Sequence, residues 1–361
     1  MRRLALVALL SLLVSGLAAA AELDDLGKQV LSHPATPAAL QAAQTILQKY
    51  PLNDQTTHDK TVAVYGATEV YAACAVVVGR DLLTKQGQPA EALALCDLYF
   101  KFFPLTTQKA VWVPQALELA GKAALAAAVP PDQALLRAQV VSKYVLDRGP
   151  LGPAPGLLAD ALTLYQSGGQ KDEGRKFLEG LPCVRPDVVE AVGFWKALVG
   201  MYIAAGQTDQ AKQAAIWGYR LVPLAPDPGK DEALQQLLRI LVITDGKAGI
   251  EAFLEYLKTG SGPNPLASVP PLPLTDAQRQ QQEAAVAGNW GLAVDAYLLQ
   301  GQFSEALHAA QVQVLSEGAD AQAGVMNIAR CFKAKDMCCV RANLYLAWVK
   351  TGAGVNPVAS F

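Results

Sequence analysis

The chain has 361 residues, a formal net charge of −2, and a composition that is 52% hydrophobic but only 7% aromatic. That balance leaves no basic footprint for nucleic acid and no run of like charge that would make a tail or a membrane-surface patch. The chain is rich in alanine and leucine, which lose little side-chain freedom in a helix, so the expected class is all-α.

Residues 1–21 read as a secretory signal. Arg2 and Arg3 supply the positive start, Leu4 to Leu17 the apolar stretch, and Ala18 to Ala21 the small residues a signal peptidase needs. The apolar stretch falls short of the roughly 20 residues that cross a bilayer as a helix. A lipoprotein would carry a cysteine at the cleavage point, and the first cysteine is Cys74. Cleavage after Ala20 or Ala21 is expected to leave a soluble mature chain, exported to the periplasm or beyond the cell. Loss of Arg2 and Arg3 takes the net charge from −2 to −4. No later apolar stretch is long enough to span a membrane.

The mature chain reads as helices punctuated by turns. His33-Pro34-Ala-Thr36-Pro37 is a first turn, and Leu52 to Thr61 is a polar stretch carrying His58. Leu83-Thr-Lys-Gln-Gly87-Gln-Pro-Ala-Glu-Ala92 joins two helices, and Ala128-Val-Pro-Pro131 starts another with its proline. After the connector Gly149 to Gly156 comes Tyr165-Gln-Ser-Gly-Gly169-Gln-Lys-Asp-Glu-Gly174, then Tyr202-Ile-Ala-Ala-Gly206-Gln-Thr-Asp-Gln-Ala211. A turn at Asp245-Gly246-Lys247 precedes the longest break, whose Pro265, Pro270, Pro271 and Pro273 forbid a helix. Tyr297-Leu-Leu-Gln-Gly301-Gln-Phe-Ser-Glu-Ala306 follows, and Lys335-Asp336 separates the last helices. The break divides the chain into a signal (1–21), an N-terminal helical-repeat block (22–260), a Pro-rich connector (261–274) and a C-terminal helical-repeat block (275–361). The connector is either a hinge or an ordered loop over the helices.

Four of these segments share one pattern: a large apolar residue, glycine four positions on, then glutamine, then a small residue five after the glycine. Glycine adopts the backbone values at a helix end that a side chain resists. The small residue lets the second helix approach the first, and Thr208 and Ser304 are available as caps. Trp195, Leu198, Tyr202, Gly206, Ala211 and Pro223 extend one series, and Trp290, Tyr297, Gly301 and Ala306 another. On these residues the chain resembles the tetratricopeptide repeat family. The resemblance implies a right-handed solenoid of helical hairpins, an α-α superhelix, with Trp195, Tyr202, Trp290 and Tyr297 in its core. It places Asp81, Thr163, Gln166, Lys196 and Asp295 on the concave face, as candidate binding residues. The basic-and-asparagine clamp that some members use for a carboxylate is absent, since only Lys196 fits its charge.

Little catalytic chemistry is visible. The three histidines, His33, His58 and His308, fall in different repeats, and no His-Glu-x-x-His, Cys-x-x-Cys or phosphate-binding glycine loop occurs. No enzyme activity, cofactor or metal is therefore expected. Cys74 and Cys96 flank the turn at Gly87, and Cys331 and Cys339 flank the turn at Asp336, so each pair is a candidate disulfide. Facing helices usually sit wider than a disulfide spans, and buried free thiols are the alternative. The expected function is an exported scaffold for a protein or peptide partner in the periplasm or cell envelope. The alternative is an α-helical enzyme or ligand-binding protein acting on envelope polysaccharide.

Overall fold

The computed structural model describes residues 22–52, 67–103, 111–147, 154–222, 274–315, 319–335 and 339–352, and the single positions 239, 246, 248 and 251. The signal segment, His58, Pro104, Pro223 and the connector 261–274 apart from Leu274 lie outside that set. Every regular element among the described residues is helical, and helices adjacent in sequence pack as pairs. No helix among them is long and apolar enough to cross a membrane. The chain forms two compact units, Met1–Gln170 and Lys171–Phe361.

The first unit contains α1 (22–32), α2 (Pro37–Lys49), α3 (Ala67–Thr84), α4 (Pro89–Phe102), α5 (Val113–Ala126), α6 (Pro131–Leu146) and α7 (Leu157–Ser167). Pro37, Pro89 and Pro131 each open a helix, where the missing N–H is no loss and the fixed φ is already helical. Helix α3 packs on α4 and α5, and α5 packs on α4 and α7. Their shared core is largely alanine: Ala92, Ala120, Ala123, Ala124, Ala134 and Ala138 close around Leu93, Leu119, Leu164 and Tyr165. Side chains this small leave the backbones close together, so contact area comes from many short residues rather than a few aromatic ones. Arg137 of α6 clasps Asp97 of α4 with two hydrogen bonds of 2.7 and 2.8 Å.

The second unit contains α8 (Lys171–Val184), a 3-10 turn (Pro186–Glu190), α9 (Val192–Ala204), α10 (Thr208–Leu221), α11 (Asp276–Val286), α12 (Trp290–Leu299), α13 (Phe303–Val314), α14 (Ala319–Ala334) and α15 (Cys339–Thr351). The pairs α9–α10, α12–α13 and α13–α14 pack closely, α12 also meets α14, and the 3-10 turn lies against α8 and α12. Trp195 is buried in α9, donates from Nε1 to the Val189 carbonyl at 2.8 Å, and packs so closely on Gly218 of α10 that a Cβ there would meet its Cβ and Cγ at 2.8 Å.

The turn glycines and small crossing residues read from the sequence are present in all four hairpins. Gly87, Gly169, Gly206 and Gly301 have φ of +64°, +75°, +70° and +71°. In three of the turns the glutamine N–H after the glycine bonds the tyrosine carbonyl five residues back, at 2.8 to 2.9 Å for Tyr165, Tyr202 and Tyr297. The small residues Ala92, Gly174, Ala211 and Ala306 are all buried. The turn before α6 has alanine where the others have glycine: Ala128 sits at φ +49°.

Some expectations need correction. Trp290 is 49% exposed at the start of α12 rather than core, because it precedes the face that turns inward. Thr208 caps nothing and Ser304 lies inside its helix, since α10 and α13 begin after Gln207 and Gln302 without a side-chain cap. Cys74, Cys96 and Cys331 are buried free thiols, so no Cys74–Cys96 bridge forms, and the Cys339 side chain lies outside the described residues. Burial pushes the Cys74 thiol far up, and it is the largest cause raising the Cys96 thiol to about 12, with Asp97 adding to it and Arg137 opposing.

Candidate functional site

Helix α12 is apolar except for one charge, Asp295, which is only 4% exposed. A carboxylate in that position requires a partner. Arg330 of α14, 3% exposed, brings Nη2 to 2.7 Å from Asp295 Oδ1 and Nη1 to 2.5 Å from Glu190 Oε1 at the end of the 3-10 turn. The same guanidinium donates from Nη1 to Asn327 Oδ1 at 2.8 Å and from Nη2 to the Leu221 carbonyl at 3.5 Å. Asn327 in turn donates to Gln313 Oε1 of α13 at 2.9 Å. One buried arginine thus gathers α10, α12, α13, α14 and the 3-10 turn around a polar centre inside the second unit.

The pairing is incomplete. Oδ1 of Asp295 receives no aligned hydrogen bond despite its 2.7 Å approach to Nη2, and Nε of Arg330 donates none. Nearby, Asp187 is paired with Arg185, Nη2 to Oδ2 at 2.6 Å. Among the described residues the cluster therefore holds two guanidiniums and three carboxylates, of which Asp295 is the most deeply buried. Burial raises the Asp295 pKa to about 7, with Arg330 pulling it down and Glu190 and Asp187 pushing it up. Burial alone would lower the pKa of Arg330, but Asp295 and Glu190 outweigh it and hold it above the usual value.

This centre forms one wall of a cavity of about 460 Å³. Glu190, Asp295, Gln313, Asn327 and Arg330 make its polar wall, and Leu292, Ala323 and Met326 its apolar wall. Asn289 at its mouth caps α12 by accepting from Leu292 N–H at 3.0 Å. Gly324 allows the arrangement. A Cβ there would stand 2.5 Å from the Val314 nitrogen and 2.8 Å from the Gln313 carbonyl carbon. Only glycine lets α14 approach α13 closely enough for Asn327 to reach Gln313.

Of the five residues expected on a binding face, Asp295 lies in this cavity and Lys196 does not line it. Lys196 is exposed on α9. In the first unit, the Asp81 carboxylate is occupied by Gln86 at 2.8 Å and Lys85 at 3.1 Å. Thr163 donates to the Ala159 carbonyl at 3.0 Å, and Gln166 is exposed. Sequence reasoning missed Arg330, Glu190, Asn327 and Gln313. A signal existed for two of them: Asn327 and Arg330, three apart, interrupt the apolar stripe of Ile328, Cys331 and Phe332. Among the described residues no group of three or more His, Cys, Asp or Glu side chains is placed to hold a metal ion. No protein-family model, curated protein or solved structure matches this chain.

Proposed function

We propose that the chain is an exported, tetratricopeptide-like scaffold that holds an extended segment of a protein or peptide partner, with the cavity of the second unit as its anchoring point. The observation that supports this reading most is the position of the cavity. It lies between α12 and α14, the first helices of successive hairpins in a solenoid reading, with a buried polar floor and a half-open apolar rim at Met326. Binding sites of this kind combine an apolar lining with a few fixed polar groups that set orientation. Arrays of hairpins bury their faces only by stacking, which leaves such surfaces between repeats. Export rests on the pattern of residues 1–21.

Cross-linking with mass spectrometry on the full chain, in the cells that make it, tests the reading. A single dominant partner linked through lysines of the second unit, such as Lys333 and Lys335, supports it. Links spread evenly over many proteins contradict it.

A second reading, hydrolysis of an envelope polysaccharide, draws on two carboxylates of unlike environment, Asp295 raised and Glu190 half-exposed. It is weaker because Oδ1 of Asp295 is enclosed and both carboxylates are held by one guanidinium. Release of reducing ends from envelope glycans by the wild type, and none by Asp295→Asn, would favour it.

A further inference from the structure

We infer that the cavity accepts the side chain of a lysine or arginine from the bound segment, its cationic head neutralising the excess carboxylate formed by Glu190 and Asp295. This rests on the peptide-binding reading above and adds the chemistry that the peptide must present.

The charge count carries the inference. Arg185 is matched by Asp187, and Arg330 by Glu190, which leaves Asp295 without a full counter-charge although it is the most enclosed of the three acids. A buried carboxylate in that condition takes up either a proton or a second cation. Among the described residues no ion pair other than that with Arg330 reaches Asp295. Lys333 of α14 donates to the Val222 carbonyl, and Arg220 of α10 lies over the Trp217 ring. Asp276, Arg279 and Glu283 of α11 and Glu305 and His308 of α13 are exposed.

The same count argues against an anion. Both Nη atoms of Arg330 already face carboxylates, so an incoming carboxylate or phosphate would meet net negative charge. The cavity shape fits a long cationic side chain. Glu190, 42% exposed, offers its carboxylate to the opening, and Leu292, Ala323 and Met326 line the path with apolar surface for a methylene stem. Entry of the cation favours ionised Asp295, so its carboxyl proton leaves to solvent as the ligand seats.

The test uses the full chain, Nα-acetyl-lysine methylamide as probe and its norleucine counterpart as neutral control. Binding is followed by protein-observed NMR titration at pH 6 and pH 8. The lysine probe stays charged across this range. With Asp295 titrating at about 7, its ionised fraction rises from about 9% to about 91%, so affinity rises about tenfold between the two pH values. Asp295→Asn removes this pH dependence. Glu190→Gln, at a half-exposed position that leaves the buried pair intact, weakens binding at both pH values but keeps the dependence. His308→Gln leaves the wild-type pattern unchanged. Equal binding of lysine and norleucine, or a pH dependence that survives Asp295→Asn in a folded protein, overturns the inference. Failure of the peptide reading shows separately: the lysine probe then binds as described, which sustains the cation site, but gains nothing when extended into a peptide.

Discussion

Replacing Gly324 by alanine isolates the packing that builds the cavity. The new Cβ would stand 2.5 Å from the Val314 nitrogen, 2.8 Å from the Gln313 carbonyl carbon and 2.9 Å from Val314 Cγ2. Two of these three are backbone atoms, so no rotamer change relieves the clash and α14 must move from α13. Overpacking of this kind costs about 1–3 kcal/mol, against which alanine recovers about 1 kcal/mol of helix propensity. The net loss is up to about 2 kcal/mol, or up to about 8 °C in Tm for a unit of this size. Gly200→Ala in α9 is the matched control, because a Cβ there meets nothing within 4 Å. Propensity then acts alone, and Gly200→Ala should stabilise by about 0.5–1 kcal/mol. Thermal unfolding followed by circular dichroism reads both. If the two substitutions shift Tm in the same direction by similar amounts, the close approach of α13 and α14 is wrong, and with it the reach of Asn327 to Gln313.

Other outcomes follow from the same structure. Arg330→Ala should destabilise by up to about 3–5 kcal/mol, most at high pH, because it removes the guanidinium from a buried carboxylate that must then ionise or take up a proton, and adding Asp295→Ala should recover part of that loss in denaturant unfolding. Ala128→Gly should raise stability by about 0.5–1 kcal/mol in urea unfolding, since alanine at φ +49° is strained and glycine is not. The Asp295 carboxyl titrates at 3.8 unfolded and about 7 folded, so between those values the folded state binds more protons. Its contribution to stability is complete below about pH 4 and is lost as pH rises through about 7. The unfolding free energy of the wild type should therefore fall over that window relative to Asp295→Asn, and parallel curves would contradict the assignment. Cys74, Cys96, Cys183 and Cys331 should resist maleimide in the folded protein and label fully in denaturant without prior reduction.

The hairpins were legible because their signals are local. A glycine at a helix end and a small residue at the crossing act within ten residues, and the four glycines have positive φ and the four small residues are buried where the pattern put them. The exposed Trp290 shows the limit of a repeat alignment: the position recurs, but what covers it depends on the neighbouring elements. The polar centre depends on distance in sequence. The repeat resemblance places Asp295 only as a position on the concave face, and its partner Arg330 is 35 residues away and Glu190 more than 100 away. No spacing rule links residues joined only by the packing of α12, α14 and the 3-10 turn. Asp81 and Thr163, placed on a binding face by the repeat alignment, each make a local hydrogen bond that no alignment displays, Asp81 from Gln86 and Thr163 to the Ala159 carbonyl.

The most direct test of the account places a photoreactive amino acid at Met326, which is 45% exposed on the cavity rim, and a second at Leu344 of α15 as a control away from the cavity. Irradiation in the native cells should attach one protein or peptide at position 326, through a segment containing lysine or arginine, and attach it less in Glu190→Gln. Equal adducts from both positions, or adducts at 326 that Glu190→Gln leaves untouched, would contradict the claim that this cavity holds the partner.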